Sequence, residues 1–253
     1  MKKTVHIRNI VLGEGIPKIC VPVLGSERNE ILQSARQAAG TKPDLVEWRV
    51  DFFEEAKNPE KVCGILKELG EVLEQIPLLF TFRTAQEGGE KAISNEEYIN
   101  LYLRVFESGK ADAIDVEAFL GEETVRTLIG AAGKRNTKVI LSNHDFEKTP
   151  PGEELIRRLE YMQELGADIA KIAVMPACTQ DVLVLLAATE EAKRTLKIPV
   201  ITMSMGRTGA VSRFLGETFG SALTFGTGGA ASAPGQIPAG ELRKILQAIH
   251  LHI

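Results

Sequence analysis

Short apolar runs recur along the chain at residues 18–24, 44–51, 77–83, 113–117, 138–145, 168–174, 199–205 and 221–226. Each is bounded by polar or glycine-containing stretches and reads as a buried strand. Between them, and after the last, lie segments whose apolar residues return at helical spacing: 27–39, 59–74, 95–108, 122–134, 152–165, 180–196, 209–219 and 239–251. In 152–165, for example, Leu155, Ile156, Leu159 and Met162 share one stripe, while Glu153, Arg157, Arg158 and Glu164 fall off it. Pro150 and Pro151 before this segment and Gly166 after it mark its ends. An earlier stretch, 5–11, is followed by the turn Gly13-Glu14-Gly15. It pairs with the first run as a hairpin, or forms a small lid ahead of the first main strand.

Strict alternation of strand and helix requires parallel strands joined by right-handed crossovers. Eight such units in 253 residues predict an α/β fold, a closed (β/α)8 TIM barrel with a short N-terminal β-hairpin, in one domain spanning 1–253. A doubly wound open sheet is the alternative, although no strand-turn-helix carries the G-x-G-x-x-G of its dinucleotide-binding form.

A barrel does its chemistry at the C-terminal ends of its strands, so unusual polar residues should collect there. In the second run, period two sends Val46, Trp48 and Val50 toward the helices and Glu47, Arg49 and Asp51 inward. The following runs end in Arg83 with Glu87 beyond it, in Asp115 and Glu117, and in Ser142-Asn143-His144-Asp145. The seventh ends in Met203 and Met205, with Arg213 at the start of the next helix.

Lys171 stands in the middle of the β-branched run Ile169-Ala170-Lys171-Ile172-Ala173. Taken alone, such a lysine can end a strand and extend its charge to water. Burial instead penalises an ammonium and favours the neutral amine, the nucleophile of Schiff-base enzymes. Glu47 and Arg49 also fit a structural ion pair, His144 a structural histidine, and Met203 and Met205 apolar pocket walls. The loop Gly226-Thr227-Gly228-Gly229 has the look of a phosphate gripper.

Composition narrows the partner. The 30 basic and 34 acidic side chains, net charge −4, are interspersed, so no face suits nucleic acid or anionic lipid, and a small molecule is expected. No apolar stretch has the length of a membrane span, and the basic N-terminus is interrupted by His6, Arg8 and Asn9, so a cytoplasmic protein without a signal peptide is expected. Cys20, Cys63 and Cys178 are far apart and read as reduced thiols. Metal-ligand spacing and a G-x-S-x-G elbow are absent.

Six segments together carry a resemblance: LVEWRVDFF at 45–53, PLLFTFRTAQEGGE at 77–90, SNHDFEKTP at 142–150, MQELGADIAKIAVMP at 162–176, ITMSMGRTGAVSR at 201–213 and SAPGQI at 232–237. In this order, and from about Gly13 to the last helix, the chain resembles type I 3-dehydroquinate dehydratases. The resemblance implies a homodimeric barrel that needs no metal or cofactor and takes 3-dehydroquinate to 3-dehydroshikimate by syn elimination of water. It implies Lys171 as the imine-forming lysine, His144 as the proton-transfer base and Glu87 as the carboxylate that orients it. It implies Arg213 as the clamp on the substrate carboxylate, and Glu47, Arg49 and Arg83 around the ring hydroxyls and the imine, with Met203 kept as an apolar wall of the substrate pocket. Ser232 and Gln236 would belong to a loop that closes over the substrate, mobile when the site is empty. Many members have a serine late in the first strand where this chain reads Val21-Pro22-Val23, so no contact is expected there. A class I aldolase acting on a sugar phosphate would use the same lysine position and is the alternative activity.

Overall fold

The computed structural model describes residues 4–229 and 231–252. Residues 1–3 of the basic N-terminus, Ala230 of the 226–236 loop and Ile253 lie outside the described residues. The chain opens with an antiparallel pair, β1 (Val5–Ile7) and β2 (Ile10–Leu12). The parallel strands follow: β3 (Lys18–Val23), β4 (Leu45–Arg49), β5 (Leu78–Thr81), β6 (Ala113–Glu117), β7 (Lys138–Asp145), β8 (Ile169–Val174), β9 (Val200–Ser204) and β10 (Leu223–Phe225). After β3 to β8 come α1 (Arg28–Gly40), α2 (Pro59–Leu73), α3 (Asn95–Ser108), α4 (Glu122–Gly133), α5 (Gly152–Leu165) and α6 (Thr179–Thr195). After β9 come α7 (Gly206–Gly209) and α8 (Gly216–Phe219), and α9 (Ala239–His250) closes the chain.

The eight strands run in the order β10-β3-β4-β5-β6-β7-β8-β9, every pair parallel. The ring closes where Ala222 N–H donates to Val200 O at 2.8 Å and Ser221 bridges Val200 in parallel. Closure removes the open-sheet alternative, because both edges of the sheet are consumed.

Two apolar layers hold the barrel. Outward residues such as Val46, Trp48, Phe80, Val116, Leu141 and Ile172 pack with the helices. Inward residues at the strands' N-terminal ends, among them Leu45, Leu79, Ala113, Ile140, Ile169 and Leu223, pack with Val5, Ile7, Ile10 and Leu12 of the hairpin. The hairpin therefore plugs the N-terminal end of the barrel. This corrects two expectations. It turns at Arg8 and Asn9, with Arg8 at φ 48°, rather than at Gly13–Gly15, and it is no lid. Arg8 pins it by donating to Asp112 at 2.6 Å and to Glu74 O at 2.8 Å.

Segment 209–219 is also not one helix. Its residues form the end of α7, a 3-10 turn at Ala210–Arg213 and then α8. Ser212 Oγ accepts from Ser204 N–H (2.9 Å) and donates to Gly209 O (2.7 Å), tying that turn to the end of β9.

Candidate active site

Above the apolar layer, the inward positions turn polar, and a cavity opens at the strands' C-terminal ends. Glu47, Arg49, Arg83, Glu87, His144 and Lys171 line it. Met203, Met205 and Phe225 form an apolar side, and Ser232, Ala233 and Gln236 cover it. Nine of the ten residues expected at the site thus face one space. The tenth, Arg213, stands behind the wall, with Nη1 3.8 Å from Met203 Sδ.

Lys171 is buried in the middle of β8, where its inward register follows from Ala170 and Ile172 packing outward. Its Nζ donates to Asp115 Oδ2 at 2.8 Å and lies 4.8 Å from the centre of the Phe225 ring. Asp115 also accepts from Arg83 Nη2 at 2.7 Å and from Ser142 Oγ at 2.5 Å. Burial alone would raise Asp115, but Arg83 and Lys171 outweigh it and hold the carboxyl far below the usual range. Arg83 is thus neutralised on several sides, since it also donates to Glu117 (3.0 Å) and approaches Glu87 (3.4 Å). Glu117 in turn takes Thr84 N–H and Oγ1, both at 2.7 Å.

His144 lies on the rim. Its Nδ1 is 2.9 Å from Glu87 Oε2, and the same oxygen accepts the His144 N–H at 2.9 Å. Burial, followed by the Arg83 and Lys171 charges, pushes His144 well below its ordinary value, so the ring is neutral at neutral pH. In the tautomer whose Nδ1–H donates to Glu87, Nε2 keeps a free lone pair. Burial, partly opposed by Arg83 and reinforced by Glu117, lifts Glu87 to about 7.

Glu47 and Arg49 do not form the ion pair that was the structural alternative for them. Arg49 makes a bidentate pair with Asp51 (both contacts 2.8 Å), while Glu47 accepts from Thr81 Oγ1 at 2.9 Å. Asp51 itself is carried past the end of β4 into a 3-10 turn and reaches back. Glu47 and Arg49 are thereby left facing the cavity without neutralising each other.

The covering loop is seated. Ser232 N–H donates to Gln236 Oε1 (3.0 Å), and Gln236 Nε2 donates to Ser232 Oγ (3.1 Å). Pro234 O accepts from Arg213 Nη2 at 3.1 Å and from Gly206 N–H at 3.2 Å. Gly235, at φ +79°, is required here, because a Cβ would meet Gly206 O at 2.4 Å. Arg213 has no carboxylate partner among the described residues, its Nε is buried without one, and burial brings it down to about 10.

The glycines at 226–229 are not a phosphate gripper. Gly226 N–H is spent on Cys20 O and Thr227 N–H on Ile237 O. A Cβ on Gly228 would stand 2.9 Å from Ala38 Cα and 3.0 Å from Val21 Cγ1, so that glycine serves close packing against α1 and β3. The roles of Asp115, Asp51 and Asn143 escaped the sequence reading: period two shows which way a strand residue points, not its partner.

A buried lysine and a neutral, carboxylate-held imidazole facing one barrel-top cavity, with a guanidinium behind its wall that has no carboxylate partner among the described residues, fit a barrel enzyme acting on a small molecule. Comparison with known proteins gives the family. The model of the type I 3-dehydroquinase family matches residues 19–253. A 3-dehydroquinate dehydratase of Clostridioides difficile is 50% identical over 254 residues, covering 100% of both chains. The crystal structure of the type I enzyme from Clostridium difficile with covalently modified comenic acid superposes with a TM-score of 0.97 at 50% identity over all of both chains. That of the 3-dehydroquinate dehydratase from Geobacillus kaustophilus also gives 0.97, at 40% identity over 99% of this chain and 97% of the other. The chain belongs to the type I 3-dehydroquinase family, and its activity is that of a hydro-lyase on 3-dehydroquinate. The sugar-phosphate aldolase alternative is not favoured. Among the described residues no helix is long and apolar enough to cross a membrane, and no group of metal-ligating side chains gathers.

Proposed function

We propose that the dehydration runs through an imine on Lys171, with His144 moving the proton. Nζ adds to the C3 ketone of 3-dehydroquinate, water leaves, and the protonated imine becomes an electron sink next to C2. His144 Nε2 takes the C2 proton, the C–H electron pair moves toward the imine nitrogen, and the resulting imidazolium is stabilised by Glu87. The same imidazolium returns its proton to the departing C1 hydroxyl, on the same face of the ring. Hydrolysis of the imine releases 3-dehydroshikimate and frees Lys171, so the net change is loss of one water.

Arg213 pairs with the substrate carboxylate, an anion that this desolvated guanidinium lacks among the described residues. The pairing draws on the donor now given to Pro234 O, so the 232–236 segment adjusts as substrate seats. Glu47, Arg49 and Arg83 take the ring hydroxyls and the imine region, Met203 forms an apolar wall, and Ser232 and Gln236 cover the ligand. The strand-helix pattern and the absence of a long apolar stretch support a single barrel domain in the cytoplasm, and the family supports a homodimer that needs no cofactor.

The observation that carries this reading is that Lys171 and the Glu87-held His144 line one cavity. Borohydride added with 3-dehydroquinate should leave a mass adduct on the peptide containing Lys171. His144→Ala should keep that adduct while elimination falls by at least about a hundredfold. An adduct elsewhere, none at all, or undiminished turnover in His144→Ala overturns the reading.

A further inference from the structure

Glu87 is gripped from both sides of β7. His144 points into the barrel, but Asn143, the residue before it, points toward the helix layer, where Val139 and Leu141 supply apolar packing. Its Nδ2 donates to Glu87 Oε1 at 3.0 Å, and its Oδ1 accepts from Arg158 Nη1 at 2.8 Å. Arg158, on α5, is itself steadied by Glu154 Oε1, 3.0 Å from its Nε. A continuous line therefore runs from the outer surface to the reacting imidazole: Glu154, Arg158, Asn143, Glu87, His144.

An amide can turn over at little intrinsic cost, and turned over it would set Oδ1 against Glu87, replacing a hydrogen bond by repulsion between lone pairs. A guanidinium has donors only, so it accepts one orientation of the amide and forbids the other. We infer that Arg158 is a positioning residue for the elimination: by claiming the Asn143 oxygen it turns the Asn143 NH2 toward Glu87 and keeps that carboxylate aimed at His144. The inference rests on the reading of Glu87 and His144 as the proton-transfer pair.

Other groups facing Glu87 are Arg83 at 3.4 Å, with Glu117 and Asp115 behind it, and the His144 ring. Arg49 and Lys171 act on that ring as further cations. None of these changes when Arg158 is replaced. Neither Arg158 nor Asn143 is part of the cavity lining, so substrate affinity should not register their loss.

The test is kcat and kcat/KM against pH for the wild type, Arg158→Met, Arg158→Lys and Asn143→Ala. Arg158→Met should lower kcat about five- to tenfold, the worth of one oriented hydrogen bond, with KM unchanged. It should also move the acid limb to higher pH, because the Glu87 anion loses a donor. Arg158→Lys, which still donates to Oδ1, should restore most of both. Asn143→Ala should act in the same direction, and adding Arg158→Met to it should cost little more. Partial misfolding would lower the plateau without moving the midpoint, so the midpoint decides. A wild-type midpoint in Arg158→Met, or full additivity with Asn143→Ala, overturns the inference. Undiminished turnover in His144→Ala would instead overturn the reading beneath it.

Discussion

Replacing Asp115 by asparagine keeps shape and removes one charge from a carboxylate of the site that holds two cations. Three donors converge on it: Lys171 at 2.8 Å, Arg83 at 2.7 Å and Ser142 at 2.5 Å. Arg83 keeps Glu117 at 3.0 Å, but Lys171 keeps only the face of Phe225. At 2.8 Å and an effective dielectric of about 20, the Lys171–Asp115 attraction is about 6 kcal/mol, which bounds the loss from above. Breaking one side of a buried pair costs about 3 to 5 kcal/mol, since the surviving charge stays desolvated. Urea unfolding at neutral pH should show that loss, and Tm should fall by about 6 to 20 °C for a chain of this size. Adding Lys171→Met to Asp115→Asn should recover most of it, because no orphaned ammonium then remains. A loss below about 1 kcal/mol, or no recovery in the double variant, would mean that Asp115 does not anchor the lysine.

Three further outcomes follow from the geometry. Glu87, held at about 7, carries a proton at lower pH and then cannot stabilise an imidazolium, so kcat/KM should rise with pH through about 7. Glu87→Gln should lower the rate and abolish that limb, and a limb retained at the same midpoint would assign it to another group. Gly228→Ala forces a methyl to within 3 Å of Ala38 and Val21, and should destabilise by about 1 to 3 kcal/mol in thermal melts while leaving KM unchanged. Gln236→Ala should mainly raise KM, by about 1 to 2 kcal/mol in steady-state assays, and hydrogen exchange over 232–236 should slow when 3-dehydroshikimate is bound. Equal exchange with and without it would make the segment a fixed wall.

The strands were legible because each delivers apolar residues to both the helix layer and the lower interior, as Val46 and Leu45 do in β4. The break in 209–219 was not, since the Ser212–Ser204 and Ser212–Gly209 bonds that make it are specific contacts with no periodic trace. Arg8 turns the hairpin in a left-handed conformation without glycine, which left Gly13 and Gly15 as the misleading signal. At the site, Lys171 announced itself as a charge in a β-branched run. Asn143 gave a signal too, a polar residue on the face that Val139 and Leu141 make apolar, but its meaning depended on Arg158, fifteen positions on and in another element. Glu87 and Arg213 lie outside the strands: their places just beyond the strand ends were legible, but only the resemblance gave their roles.

The plug of β1 and β2 has a consequence for traffic. With Val5, Ile7, Ile10 and Leu12 packed into the barrel's lower end, the reaction chamber is a cul-de-sac. Substrate, product and the water released by each turnover must share the doorway guarded by Ser232 and Gln236. Entry of a new substrate must then wait for the previous product to go, and accumulated 3-dehydroshikimate should compete directly with 3-dehydroquinate.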